Sequence, residues 1–276
     1  MKRLFTLLLA LPLVLGLSAP ALADVIWEPE DDFYAAHSDE CTYVNRSYIL
    51  NGQEGYVELF RAPGQSAAAD RLPNGAVLQV SFVYPGESPA WALVEYARDG
   101  DGGVRNAYGG GSSTGWIAMD SLVVQYDSQS FQEEHAGELR PYQDGPLEDL
   151  PAEGTVLAWA FPGSADSYEL TLDPDYMEHP DFDLLYPGPD GRLWGHCVYY
   201  YMGNRDFWIC ISEPTETDLP VTEIHYDLIP AADPADIPAP SLLARPMVLA
   251  GILVAAVVAV TLLLLVRYRR KSAASS

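Results

Sequence analysis

The sequence predicts an all-β fold of two tandem small barrels, with a short N-terminal helix and one C-terminal transmembrane helix. Three observations predict it. Short stretches of alternating apolar and polar residues, separated by glycine and proline turns, recur from about residue 51 to residue 213. The two halves of that region carry similar patterns of tryptophan and tyrosine. The chain also has an apolar segment near each end.

The N-terminal segment, residues 1–23, has the pattern of a cleavable signal peptide. Met1-Lys2-Arg3 is positively charged, residues 4–17 are largely apolar, and Ala21-Leu22-Ala23 supplies small residues at the expected cleavage site. The apolar stretch is too short to span a bilayer comfortably. We therefore expect the chain that follows to be exported.

The C-terminal apolar segment, residues 247–266, predicts a transmembrane helix. It has neither a charge nor a proline, and at 1.5 Å per residue it covers roughly the 30 Å hydrocarbon core. The basic tail, residues 267–276, begins directly after it and is expected in the cytoplasm. This pattern predicts a single-pass protein of the cell membrane with an extracytoplasmic ectodomain. The proline-rich residues 230–246 are expected to form a semi-rigid stalk.

The predicted ectodomain, residues 24–245, is strongly acidic. It holds nine basic residues, all of them arginine, against 39 acidic residues, which gives a net charge of −30. Such a surface repels nucleic acid, because nucleic-acid binding requires lysine and arginine at the phosphates. The composition therefore excludes nucleic acid as a partner and favours solubility or association with cations.

The first elements of the ectodomain follow from local patterns. Residues 24–50 are predicted to hold a short helix capped at Asp31-Asp32, with Phe33, His37 and Cys41 on one face. The first barrel is predicted over residues 51–127, with a turn at Pro73-Asn74-Gly75. Its strands are expected at residues 55–60, 77–82, 91–96 and 115–119.

A linker and a second unit are expected next. In the linker, residues 128–150, Ser130 to Glu133 has the pattern of a capping box that opens a short helix. The second barrel is predicted over residues 151–229. Its strands are expected at residues 154–160, 168–172, 182–186, 193–201 and 207–211.

The two halves share a motif that resembles a known family. Trp91-x-x-Val94-x-Tyr96 and Gly115-Trp116-Ile117 correspond to Trp194-x-x-Cys197-x-Tyr199 and Trp208-Ile209. With the Asn74-Gly75 turn, these motifs resemble bacterial SH3-like (SH3b) domains over about residues 53–124, and more weakly over 152–213. The chain as a whole resembles membrane-anchored SH3-domain surface proteins of clostridial type. The resemblance implies SH3-like barrels in the cell envelope, where such domains often bind peptidoglycan or its peptides.

Three cysteines allow one disulfide in an oxidising compartment. A two-residue turn at Gly203-Asn204 would place Cys197 opposite Cys210 and permit a bond between them. A loop one residue longer would put these two cysteines on opposite faces. The repeat favours the longer loop, because Cys197 takes the place of Val94. Cys197 is then a buried thiol, and Cys210 is expected to bond Cys41.

Motifs of catalysis and of metal binding are missing from the sequence. The five histidines are scattered, and His196 and Cys197 are strand neighbours that point to opposite faces. The acid-rich stretch from Asp173 to Asp183 lacks the ligand spacing of an EF-hand. We therefore predict no enzyme activity, no catalytic residue, no metal and no cofactor.

The candidate ligand-binding residues are aromatic, since exposed tyrosine and tryptophan offer a large contact area with a polar end. They are Tyr84, Trp91, Trp116, Tyr200 and Trp208. Under the favoured loop, Tyr200 and Trp208 are expected to lie cross-strand. The leading function is a non-enzymatic binding module for a cell-envelope component or a peptide. The alternative is a structural or accessory subunit that contacts another membrane or surface protein, for which an apolar patch bridging both barrels would be the mark.

Overall fold

The computed structural model describes residues 28–86, 88–100, 103–107, 112–143, 150–151, 153–172, 182–200 and 204–239. The predicted signal peptide, transmembrane helix and basic tail lie outside these residues. Within the described ranges, no helix has the length and apolar character needed to span a bilayer. The described chain is built mainly of β-strands with a few short helices, so the all-β prediction is confirmed.

The first unit begins with helix α1 (Asp32–His37), which Asp31 caps as predicted by accepting a hydrogen bond from the Tyr34 N–H. Two 3₁₀ turns, Ser38–Glu40 and Met119–Ser121, flank its strands. The strands are β1 (Thr42–Leu50), β2 (Tyr56–Leu59), β3 (Asp70–Pro73), β4 (Val77–Tyr84), β5 (Trp91–Arg98), β6 (Val104–Asn106), β7 (Ser113–Ala118) and β8 (Leu122–Val124).

Strand β1 corrects the predicted boundary at residue 51. It lies in the segment expected to be helical, yet it pairs with β4 and β8 inside the sheet. Its register shifts between Tyr43 and Arg46, where Asn45 has a φ of +47°. This bulge interrupts the alternation of apolar and polar residues by which a strand is recognised.

The second unit begins with helix α2 (Ser128–Glu134). Asp127 is its N-cap and accepts a hydrogen bond from the Ser130 N–H at 2.8 Å, so the helix is capped three residues before the predicted position. The strands are β9 (Arg140–Pro141), β10 (Gly154–Trp159), β11 (Ser167–Leu172), β12 (Phe182–Pro187), β13 (Leu193–Tyr200) and β14 (Asn204–Cys210).

The two units share one strand order. In the second unit it is β11-β10-β14-β13-β12-β9. In the first unit, β7, β5, β4 and β1 are neighbours, and a bridge between Phe60 and Trp116 joins the β2–β3 hairpin to β7. The equivalent order is therefore β3-β2-β7-β5-β4-β1, with β8 and β6 added. The described strands pair into one six-stranded sheet in each unit, and β2 and β3 form a separate two-stranded sheet.

The β13–β14 hairpin has neither of the two expected registers. Cys197 pairs with Phe207, and Trp194 pairs with Cys210. The side chains of Cys197 and Cys210 nevertheless point to opposite faces of the hairpin, as the longer loop predicts. Cys197 is buried with Ile209, whereas Cys210 is buried in the apolar cluster on the other face.

The predicted disulfide between Cys41 and Cys210 is not formed, because all three cysteines are free thiols. Cys41 packs against the aromatic cluster beneath α1, in the first unit. Cys210 is fully buried in the second unit, among Phe131, Trp194 and other residues. The two sulfur atoms thus belong to separate cores.

The C-terminal strap, residues 212–239, corrects the predicted stalk. Instead of standing away from the folded units, the described part of the proline-rich stretch lies along the first unit. The Ala232 N–H donates to the Gly55 carbonyl at 3.0 Å. The Arg71 guanidinium donates to the carbonyls of Pro238 and Ala239 at 3.1 and 3.0 Å. Each proline lacks an N–H donor, but its carbonyl group still accepts hydrogen bonds.

Candidate functional site

A short helix covers a buried tryptophan in the first unit. Phe33 of α1 packs edge-on against Trp116 with 5.2 Å between ring centroids, and it stacks on His37 one turn later. The Trp116 indole N–H donates to Asp31 at 3.1 Å. The carboxylate that caps α1 therefore also fixes the tryptophan beneath it. Tyr84 completes this cluster, 5.1 Å from Phe33.

The second unit repeats this arrangement. Phe131 of α2 packs edge-on against Trp208 at 5.2 Å and lies 4.3 Å from His135 one turn later. The Trp208 indole N–H donates to the Ser128 hydroxyl at 2.8 Å. Tyr186 lies 4.9 Å from Phe131. The two units thus carry equivalent helix–aromatic clusters.

These clusters contradict the predicted ligand-binding role of two of the five candidate residues, Trp116 and Trp208. Trp116 and Trp208 are fully buried, so neither offers a face to a ligand. Tyr84 and Trp91 are half-buried beside Trp116, beneath α1. Trp208 pairs with His196 and not with Tyr200, whose side chain lies outside the described part of the structure. Tyr84 and Trp116 pack against Phe33 of α1, and Trp208 packs against Phe131 of α2, so these three side chains hold the helices onto the sheets.

A cleft of about 490 Å³ lies where the two units meet. The β1 bulge, the first turn of α2, the β10–β11 turn and β14 each contribute to its wall. Its lining residues are Tyr43, Val44, Asn45, Arg46, Tyr126, Asp127, Ser128, Gln129, Ala160, Phe161, Asp166 and Asp206. Because these segments are far apart in the chain, the site exists only when both units are folded and in contact.

Arg46 fixes the wall of the cleft between the units. It donates to both carboxylate oxygens of Asp127, at 2.8 and 3.0 Å, and to the Ser130 hydroxyl at 2.8 Å. The Arg46 side chain is only 14% exposed. Two-pronged bonds from arginine to carboxylate are geometrically specific. Arg46 therefore fastens β1 of the first unit to the N-terminus of α2.

His196 lies behind Asp206, a cleft-lining residue. Its Nδ1 is 2.6 Å from Asp183 Oδ1, and its Nε2 is 2.9 Å from Asp206 Oδ1. Neutral imidazole has only one N–H, so donation to two carboxylates requires the charged form. Burial lowers the pKa of His196, but hydrogen bonding and charge from Asp206 and Asp183 outweigh it and raise the pKa above its usual value.

The accessible surface of the cleft is anionic and aromatic. Tyr43 is 47% exposed. Arg46 neutralises Asp127, and His196 shares its charge between Asp206 and Asp183. Asp166 is exposed, and no described residue forms a hydrogen bond or ion pair with its carboxylate. Within the described chain, no group of three or more histidine, cysteine or acidic residues is placed to hold a metal ion.

Sequence reasoning missed the cleft but had a signal for the position of His196. Tyr84-Pro85-Gly86 and Tyr186-Pro187-Gly188 mark equivalent turns, and a tryptophan opens the strand that follows each of them. Counting two residues on from Trp91 and Trp194 places His196 at the position of Leu93. The register agrees, because Leu93 pairs with Trp116 as His196 pairs with Trp208.

Comparisons with protein-family models, with curated proteins and with solved structures find no match to this chain.

Proposed function

We propose that the protein is a non-enzymatic, membrane-anchored binding module on the extracytoplasmic side of the cell membrane, with the cleft between its units as the ligand site. The cleft itself carries this proposal, because it joins exposed carboxylate and aromatic surface in one concavity. The export and anchoring parts of the proposal rest on the signal-peptide pattern of residues 1–23 and on the apolar segment 247–266.

The ligand is a cell-envelope component or peptide that presents a positively charged group. Asp166 offers a carboxylate with no cation beside it among the described residues, and Asp206 lies in the same wall. The exposed ring of Tyr43 can receive a cation on its face. The net charge of −30 would draw cationic ligands toward the ectodomain. Peptides with free amino groups have this chemistry.

The geometry of His196 supports binding over catalysis. A general base must reach the proton that it removes with a free ring nitrogen. Both nitrogens of His196 are held by aspartates, and the Gln132 amide is a further 3.2 Å neighbour of Nε2. The histidine is therefore suited to fixing Asp206 in the wall of the cleft.

We also propose that each unit is a degenerate SH3-like module. The tryptophan and tyrosine motifs support this, as does the six-strand order that the units share. On this proposal the two modules form the ligand site at their junction, and the aromatic clusters hold a helix on each.

Sedimentation of the full chain with insoluble peptidoglycan, in detergent micelles, tests the proposal. We expect the parent protein to sediment and Asp166→Asn to lower the bound fraction several-fold. Asp218→Asn is the matched control, because Asp218 is exposed and does not line the cleft. Equal retention of both variants would place the ligand elsewhere.

Failure of the parent protein to sediment would exclude peptidoglycan as the ligand. It would also favour the accessory-subunit alternative. Chemical crosslinking of the full chain in its native membrane would then yield a defined adduct with another protein, and Tyr43→Ser would reduce that adduct if the cleft forms the contact.

A further inference from the structure

Asn51 recognises the main chain of the C-terminal strap. Its Nδ2 donates to the Asp227 carbonyl at 3.2 Å, and its Oδ1 accepts from the Ile229 N–H at 2.7 Å. These two groups, flanking Leu228, are the pair that a residue of a parallel β-strand would engage. The Asn51 carboxamide therefore makes the two hydrogen bonds that a neighbouring strand would make, and it holds this part of the strap in an extended conformation.

Asn74 continues this recognition from a buried position. It is only 6% exposed, and both of its amide atoms bond the main chain of Gly52 at 2.8 Å. With its orientation fixed in this way, its Nδ2 also donates to the Ile229 carbonyl at 3.1 Å. The N–H and C=O of Ile229 are thus both bound by asparagine side chains of the first unit.

Gly55 and Arg71 bind the strap closer to the end of the described chain. Gly55 has a φ of +81° and accepts the Ala232 N–H at 3.0 Å. A Cβ at Gly55 would lie 2.6 Å from the Ala232 nitrogen, so only glycine allows this approach. Arg71 then binds the carbonyls of Pro238 and Ala239.

All of these bonds use main-chain groups of the strap. The side chains of Asp227, Leu228 and Pro230 are exposed, and those of Ile229 and Ala232 are half-buried. Recognition through the main chain selects an extended conformation and depends little on side-chain identity. The groove can therefore accept an extended segment other than the strap.

We propose that the groove formed by Asn51, Gly55, Arg71 and Asn74 is a binding site for extended peptide segments, separate from the cleft. Residues 227–239 of the strap are its built-in ligand. An extended segment supplied from outside the chain binds when the strap is displaced. Since a tethered segment competes at a high effective concentration, the intact protein keeps the groove occupied.

Binding of a fluorescein-labelled peptide of residues 227–239 to the full chain, followed by fluorescence anisotropy, tests this proposal. Ile229→Pro in the full chain removes the N–H that bonds Asn51 and so weakens the tethered competitor. We expect the labelled peptide to bind this variant at least about tenfold more tightly than the parent chain. Proline at the same position of the labelled peptide should abolish that gain.

Two further variants show whether the groove is the site. Asn51→Ala, added to the Ile229→Pro chain, should cost the peptide most of its affinity. Arg71→Gln, a milder change at the far end, should cost several-fold. Equal binding of the peptide to the parent and Ile229→Pro chains would overturn the proposal, as would unchanged binding to both groove variants. The cleft proposal is unaffected, because none of these residues lines the cleft.

Discussion

The first and second units build the same helix–aromatic cluster but differ at the strand position beside the buried tryptophan. In the first unit this position is Leu93, which is fully buried among aromatic rings. In the second unit it is His196, equally buried but bonded to Asp183 and Asp206. An apolar cluster of the same design can therefore contain a charged side chain when the neighbouring strands supply groups of opposite charge.

The stability that Asp70 gives the first unit and the stability that His196 gives the second unit should change with pH in opposite directions. In the first unit, burial raises the pKa of Asp70, but bonds from Arg98 and Tyr96 outweigh this and lower it. The stability that Asp70 contributes is present above its unfolded pKa and is lost as pH falls through the folded value. The raised pKa of His196 gives the reverse, with stability present below the unfolded pKa and lost as pH rises through the folded value.

Removing either buried tryptophan should have the largest effect. We expect Trp116→Ala and Trp208→Ala each to lower the free energy of unfolding by about 3–5 kcal/mol, because each leaves a cavity under a helix. Chemical denaturation followed by circular dichroism measures this. Trp→Phe at the same positions should cost less, since a ring remains. A loss below about 1 kcal/mol in one unit would show that its cluster is not equivalent to the other.

His196→Leu converts the second unit to the pattern of the first. It leaves Asp183 and Asp206 without their cation, and because both carboxylates are partly exposed we expect a loss of about 1–2 kcal/mol at acidic pH. The loss should shrink as pH rises through the raised pKa of His196. Thermal unfolding over a pH series measures it. His225→Leu, at an exposed histidine, is the control. A pH-independent difference would contradict the charged state.

Arg46→Met should have the smallest effect on stability, about 1 kcal/mol, because its ion pairs with Asp127 and Glu133 are partly screened by solvent and the methylene chain is kept. The substitution should have a clearer effect on hydrogen exchange where β1 meets the N-terminus of α2. We expect faster hydrogen exchange at the Ser130 amide, whose acceptor Asp127 loses its partner. Arg105→Met removes an exposed pair with Asp99 and serves as the matched control. Unchanged exchange at Ser130 would mean that other contacts hold the units together.

Local features of the fold could be predicted from the sequence. The Asp31 cap, the turn at Asn74-Gly75 and the facing of Cys197 and Cys210 each depend on a few neighbouring residues, and each prediction is confirmed. The β13–β14 register was wrong because alternation fixes which face a residue takes and leaves even shifts along the strand undetermined.

The candidate site could not be predicted in the same way. The ion pair of Arg46 with Asp127 joins residues 81 positions apart, and the bond between Ile229 and Asn51 joins residues 178 apart. The prediction that Trp116 and Trp208 contact a ligand was wrong for a related reason. Composition cannot show that α1 and α2 each fold back onto a tryptophan, so Trp116 and Trp208 were assigned to a ligand.

The docked strap limits how far the first unit would lie from a bilayer in which the chain was anchored. If residues 247–266 cross the membrane as the sequence predicts, seven residues separate Ala239, the last residue that the structure describes, from the span. At 3.3–3.6 Å per residue, that tether reaches at most about 25 Å. Release of the strap from residue 227 onward would lengthen the tether to about 70 Å. In that arrangement, exchange of the strap for an outside segment would let the cleft lie up to about 45 Å farther from the bilayer.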